Sequence, residues 1–254
     1  MKIWLNTELV NAEEVELDEK FWPNGEGIFE TLRTEDGQIH ELSRHMRRAI
    51  DAANELGLIL PNEEIIRNAV SQLLKEETQP VGRLRLMFSH KNFIAVHLAY
   101  EDIRKNQKLC ISDQFVASEE FIIKRYPYTD RLEMLEKAKS NGFDEVVCIN
   151  EKNEITEGAV SNFLFLIGSE WVTPPLSSGV LPGIVRGAAI ERCGVKVRPV
   201  RSSEIVMIES ALVISSLKIA LPVASINKQI LSIGSSVAEL EAQIREKIEK
   251  HSVG

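Results

Sequence analysis

Cysteine is scarce in this chain, and so are the short signatures that announce a chemistry. Three cysteines occur in 254 residues. Cys110, Cys148 and Cys193 are odd in number, far apart and set in apolar strand or helix-end contexts, as buried thiols of a reducing compartment are. No CxxC and no Cys/His spacing suggests a metal, so none is expected. His40, His45, His90, His97 and His251 are scattered, no serine sits in a GxSxG elbow, and no GxGxxG opens a helix after a strand. No apolar run approaches membrane-spanning length, and Met1 to Trp4 starts a strand and not a signal peptide. Basic residues are outnumbered, 30 against 38 acidic, for a net charge of −8. Nucleic acid and acidic membrane surfaces both reward clustered Lys and Arg, so neither is expected as the main partner. The expected location is the cytoplasm.

What is present is an ordinary globular composition, 44% hydrophobic and 27% charged, with room for one large or two medium cores. Asn6-Thr7 joins Ile3–Leu5 and Glu8–Val10 as a tight hairpin, with a further strand near Val15 to Leu17. Gly25-Glu26-Gly27 opens a run that turns at Glu35-Asp36-Gly37 into Gln38-Ile39-His40, a strong hairpin signal. Leu42, Met46, Ala49, Ile50, Ala53 and Leu56 then fall on one helical face that Gly57 ends. A second helix follows Pro61-Asn62, and strands follow over Arg83–Phe88 and Ile94–Leu98. Tyr100 to Lys108 has no clean period and is the linker candidate. The expected division is 1–102, linker 103–107, and 108–254. Beyond it come a strand over Leu109–Val116, a helix capped by Asp130 with Glu133, and a strand over Asp144–Asn150. Later elements are a strand at Val195–Pro199, a buried Ala211–Ile214, and a last helix from about Val237 to Lys250.

The stretch from Ile155 to Gly187 is the chemical centre of the sequence. Phe163 to Ile167 reads as a strand buried on both faces. Pro182-Gly183 then turns the chain into a helix at Ile184. Backbone amides at such a helix start, with the helix dipole, suit a phosphate-sized anion, although simple turn chemistry explains the same glycine. Lys124, after the apolar Phe121-Ile122-Ile123, has the setting of a desolvated Schiff-base lysine or of a strand-end lysine reaching water.

Taken together, GEGIFETLR (25–33), HMRR (45–48), KRYPY (124–128), DEVVCIN (144–150), TEGAVSNFLF (156–165), GVLPGIVR (179–186) and ISSLKIALPV (214–223) resemble the class IV aminotransferase family. These fold-type IV pyridoxal-phosphate enzymes include branched-chain and D-amino-acid aminotransferases and aminodeoxychorismate lyase. The resemblance implies an α/β (α+β) fold in two domains, a small N-terminal α+β domain and a larger C-terminal mixed α/β, barrel-like one. It also implies a homodimer and pyridoxal 5'-phosphate as cofactor. Lys124 would form the Schiff base with the cofactor and shuttle the proton, and Glu157, 33 residues on, would pair with the pyridine nitrogen. Arg48 would hold the phosphate with the amides of Ile184 and Val185, and Ser215 and Ser216 would add hydroxyl contacts.

The sequence departs from the family in places. Arg-Tyr-Pro-Tyr follows the lysine where Thr-Thr-Asn-Tyr or His-Leu-Asn-Arg is common. A register on Tyr-Thr-Asp-Arg (128–131) would put Pro127 at the lysine position and imply an inactive relative; the spacing to Glu157 favours Lys124. Val185 stands where threonine is frequent, and the Arg-Gly loop that contacts the substrate carboxylate is missing near Ser89-His90. The resemblance implies a small amino compound as substrate. Gly25–Arg33 and Ser216-Leu-Lys-Ile look more like the lyase branch, which yields 4-aminobenzoate and pyruvate for folate synthesis. A branched-chain or D-amino-acid aminotransferase is the alternative. Phe29, Arg83, Arg85 and His90 are the candidate substrate contacts.

Overall fold

A computed structural model describes residues 1–116 and 122–252. In chain order the elements are β1 (Lys2–Leu5), β2 (Glu8–Asn11), β3 (Gly27–Glu35), β4 (Gln38–His40), α1 (Leu42–Leu56), α2 (Glu63–Glu76), β5 (Val81–Phe88) and β6 (Phe93–Ala99). They continue as β7 (Gln107–Val116), β8 (Arg125–Tyr126), α3 (Thr129–Ser140), β9 (Glu145–Asn150), β10 (Asn162–Ile167), β11 (Glu170–Thr173), α4 (Ile184–Cys193) and β12 (Lys196–Val197). The last are β13 (Ser210–Ser215), β14 (Ile219–Ile226), β15 (Gln229–Ile230), α5 (Ser235–Lys247) and β16 (Lys250–His251). The fold is mixed α/β, as expected.

The chain forms two compact units. The first comprises Met1–Asp102, Ile123–Tyr128 and Glu249–Gly254, and the second Ile103–Ile122 and Thr129–Ile248. The first change of unit falls beside the expected linker. The segment carrying Lys124 then belongs to the first unit, although it follows the linker in sequence.

In the first unit the sheet runs β16-β4-β3-β5-β6-β1-β2, with β8 paired to β3. Side chains alternate across its pleat. Ile28 and Leu32 of β3 and Leu84, Leu86 and Phe88 of β5 face α1 and α2 in one core. Phe29 and Met87 face the other way, into a core closed by Tyr126, Trp22 and other residues of the 12–22 loop. Asp36 and Gly37, at φ 48 and 77, make the left-handed turn that the Asp-Gly pair signals.

Several boundaries differ from the sequence reading. On α1 it is His45, Ala49, Ala52 and Ala53 that are buried with Leu42, whereas Ile50 and Leu56 are 48% and 39% exposed. The buried stripe turns toward the alanines because small side chains let the helix lie close to the sheet. Val15–Leu17 forms no strand; Leu17 makes a single bridge to Pro23. Thr129 already begins α3, which places Asp130 in its first turn and not at the cap. The Val195–Pro199 strand shortens to Lys196–Val197, and the last helix stops at Lys247, after which Lys250–His251 pairs with β4.

In the second unit the sheet runs β12-β11-β10-β13-β14-β7-β9, with β15 on β14. Phe163 and Phe165 face one core and Leu164 another, so β10 is buried on both faces, as its unbroken apolar run requires.

Acid should weaken the first unit before it reaches ordinary carboxylates. Burial pushes His40 down to about 4 despite Glu35, whose carboxylate lies 3.3 Å from its Nε2. Burial also lowers His97, which bridges Thr34 and the Glu77 carbonyl. Unfolded histidines take up protons near pH 6.5 while the folded ones resist. Urea midpoints are therefore expected to be level above pH 6.5 and to fall as the pH drops from 6.5 toward 4. A midpoint that stays level to pH 4 would refute this account.

Candidate active site

The first unit presents Lys124 immediately before β8, the short strand pinned to β3. Arg125 pairs with Ile28 and Tyr126 with Gly27, while the Phe29 amide donates to the Lys124 carbonyl at 2.9 Å. Gly27 is required there, because a Cβ would lie 2.1 Å from the Phe88 oxygen and 2.6 Å from the Tyr126 hydroxyl. The pairing sets the Lys124 Nζ over two aromatic faces, 4.4 Å from the Phe29 ring centre and 4.9 Å from that of Tyr128. Ile123 packs into the helix-side core; Phe121 lies outside the described residues.

On the opposite face of β3, Glu30 meets α1. Its Oε1 accepts from Arg48 Nε at 2.8 Å, and its Oε2 accepts from Arg48 Nη2 at 2.6 Å. His45 Nδ1 lies 2.6 Å from Oε2 and must carry the hydrogen, since an ionised carboxylate only accepts. Burial alone would raise the Glu30 carboxyl, but Arg48 and His45 outweigh it and hold it at about 2. Arg48 is thus oriented by a buried carboxylate. His45 and Arg48 stand one helical turn apart, so they share a face; the sequence reading took up Arg48 but not its partners Glu30 and His45. An i,i+3 His/Arg pair beside an acidic position within an apolar strand is the signal that marks them.

The second unit holds Glu157 in a cage of donors. Its Oε2 accepts from the Leu181 amide at 2.9 Å and from Asn162 Nδ2 at 3.1 Å, and its Oε1 lies 3.1 Å from Arg131 Nη2. Beneath that loop, buried Glu145 accepts from the amides of Val146, Ala159 and Val160 and from the Ser161 hydroxyl. Helix α4 begins at Ile184, three residues beyond Leu181. Gly183 at its N-cap has no side chain to satisfy the amides of Ile184 and Val185, which as first-turn positions have no carbonyl four residues back. Ser215 closes β13, its hydroxyl accepting from the Lys218 amide at 3.2 Å, and Ser216 follows half-buried in the same turn. Arg131, Asn162 and Glu145 escape a reading by motif because each acts through Glu157 or its loop.

Among the substrate candidates, Arg83 and Arg85 of β5 lie on the Phe29 face of the sheet. Arg85 donates to the Lys20 carbonyl at 2.8 Å and stacks on Trp22, whereas His90 is exposed in the β5–β6 turn.

Residues 27–226 match the amino-transferase class IV family. The chain belongs to that family. A putative aminodeoxychorismate lyase of Schizosaccharomyces pombe is 25% identical over 65% of this chain and 73% of its own length. A putative branched-chain-amino-acid aminotransferase of Methanocaldococcus jannaschii is 23% identical over 97% and 95% of the two chains. The solved PLP-bound form of a hypothetical aminotransferase from Mycobacterium tuberculosis superposes with a TM-score of 0.87 at 17% identity, covering 98% of this chain and 99% of that one. Class IV aminotransferases are pyridoxal-phosphate enzymes, either lyases or aminotransferases.

The groups present suit that cofactor. A buried carboxylate with its own cationic and amide donors is what a protonated ring nitrogen needs, and an uncapped helix start offers amides to a phosphate. Of the class IV features, the turn at Gly183 is the tightest: a Cβ there would lie 1.8 Å from Asn162 Oδ1. Gly183→Ala must displace the side chain that holds Glu157, and is expected to cost about 1–3 kcal/mol in urea denaturation. Gly234→Ala, whose Cβ would meet nothing nearer than 3.9 Å, should stay within about 0.5 kcal/mol of the parent. Equal losses in the two variants would count against the close approach.

Proposed function

We propose that the chain is a pyridoxal-phosphate lyase that converts 4-amino-4-deoxychorismate to 4-aminobenzoate and pyruvate, working as a cytoplasmic homodimer in the supply of folate precursors. The aromatic surround of Lys124 carries this reading. Phe29 and Tyr128 flank its amine, and Trp22 lies 4.7 Å from Phe29 and 6.1 Å from Tyr126. Such a wall suits a flat, unsaturated ring better than a short aliphatic side chain. The lyase-like Gly25–Arg33 and Ser216–Ile219 segments and the S. pombe relative support the same choice.

In this reading Lys124 is the amine that bonds the cofactor. Once freed by the substrate's amino group, it would take the proton from the ring carbon bearing that group. The bound cofactor supplies an electron-poor ring that accepts the electron pair so released. Glu157, kept in place by Arg131, Asn162 and the Leu181 amide, would offer its negative charge to the ring nitrogen and favour its protonated form. Arg48, the amides of Ile184 and Val185, and the Ser215 and Ser216 hydroxyls would hold the phosphate. Loss of the proton, cleavage of the ether C–O bond and aromatisation release enolpyruvate, which takes up a proton as pyruvate, so atoms balance without water. Phe29 would face the substrate ring, and Arg83 and His90 are the candidates for its carboxylates. Arg85 is committed to the Lys20 carbonyl and Trp22.

An aminotransferase acting on branched-chain or D-amino acids is the second reading, favoured by the nearly full-length M. jannaschii relative. It uses the same lysine and glutamate.

Purified protein loaded with cofactor and given aminodeoxychorismate should release pyruvate and 4-aminobenzoate in equal amounts. Lys124→Ala should lower that rate by roughly 10²–10⁴-fold and abolish fixation of the cofactor by borohydride. Absence of pyruvate, with brisk amino exchange from D- or branched-chain amino acids, would sink the lyase reading in favour of the second. Borohydride fixation that persists without Lys124 would sink the assignment of the lysine.

A further inference from the structure

The loop from Asp18 to Trp22 in the first unit is tied down more firmly than a surface connection needs. Asp18 Oδ1 accepts from the amides of Lys20 and Trp22, each at 2.8 Å. The backbone closes the same turn, Asp18 N to the Trp22 oxygen and Phe21 N to the Asp18 oxygen, both at 2.9 Å. Phe21 holds a φ of 61°, a left-handed conformation that a bulky residue adopts only when its surroundings compel it.

Arg85 supplies much of that compulsion. Only 6% exposed, it sends Nη1 to the Lys20 carbonyl at 2.8 Å and to the Phe21 carbonyl at 3.4 Å. Its guanidinium carbon lies 3.7 Å from the centre of the Trp22 ring. Burial, helped by Arg83 and opposed by Asp18, pushes Arg85 down to about 9. Desolvating a cation in this way is costly, and what the cost secures is the placement of one indole. That indole meets the Phe29 ring at 4.7 Å and 85°, and the Phe29 ring lies under the Lys124 amine.

We propose that Trp22, clamped by Arg85 and the Asp18 turn, is a positioning residue that holds the Phe29 ring in place under the Lys124 amine. Its catalytic meaning rests on Lys124 being the reactive amine, whereas its geometry does not. The ring face attracts the ammonium form, which is unreactive toward acylating reagents. If the indole is removed, Phe29 can turn away, and the neutral, reactive form of Lys124 gains.

The test is competitive acetylation of the full-length chain freed of cofactor, with limiting acetic anhydride at fixed pH. Lys124 acetylation is read by peptide mass spectrometry against exposed Lys152. Trp22→Leu is expected to raise the Lys124/Lys152 ratio by roughly two- to fivefold, the size of one cation–π contact. Phe29→Leu should do the same, and the double variant should rise no further than Phe29→Leu alone, because Trp22 acts through that ring. Trp171→Phe, in the second unit, should move nothing. An unchanged ratio in folded Trp22→Leu, or effects that multiply in the double variant, would overturn the proposal. Should Trp22→Leu not fold by circular dichroism, Arg85→Lys takes its place: lysine lacks the planar fork, and a ratio that stays at the parent value would equally overturn it. Failure of borohydride fixation at Lys124 would remove the catalytic reading and leave this ratio to stand or fall by itself.

Discussion

Much of the first unit's chemistry depends on one backbone pairing that a single methyl group would prevent. Tyr126 lies against Gly27 so closely that a Cβ at Gly27 would sit 2.6 Å from its hydroxyl. Because the two residues are ladder partners, the chain just before Tyr126 runs along the start of β3 and leaves the Lys124 carbonyl on the Phe29 amide. A lysine has four rotatable bonds and would otherwise sweep a wide volume of solvent. Here its root is fixed by strand hydrogen bonds and its tip rests on aromatic faces, so its reach is decided by the sheet.

The two-residue period of β3 then divides the work. Even-numbered Ile28, Glu30 and Leu32 face α1, and odd-numbered Phe29 faces Lys124 and Trp22. One strand therefore supplies a buried carboxylate to one side and an aromatic floor to the other, and a shift of one residue would exchange them. The carboxylate is tolerable in the core because His45 and Arg48 satisfy both of its oxygens. The second unit solves a similar problem with backbone. Glu157 in the loop before β10 and Glu145 on β9 are both buried, and amides from Val146, Ala159, Val160 and Leu181 carry much of the compensation. Amides cannot be lost by side-chain mutation, so these carboxylates are held by the path of the chain.

Much of the architecture was legible in the residues. The Asp36-Gly37 hairpin, the Gly57 helix end, the unbroken apolar run of β10 and the turn at Gly183 each follow from local stereochemistry. The misreadings have physical causes. On α1, apolar Ile50 and Leu56 lie toward solvent because alanines permit closer packing than larger side chains do. Lys250–His251 extends a sheet edge at β4 that no local pattern could announce. Arg85 read as a candidate carboxylate binder, and only a loop folding back over the sheet brings Trp22 against it.

The sequence by itself determined the family, the cofactor class and the order of the elements, because ordered motifs and short-range periodicities are properties of the chain as written. Tertiary structure alone decided which groups stand next to the motif residues: Glu30 and His45 beside Arg48, Arg131 and Asn162 beside Glu157, and Phe29 and Tyr128 beside Lys124. Those neighbours are far from obvious in the linear order, since burial and hydrogen-bond geometry depend on where strands pair, and pairing is settled by the whole of each sheet.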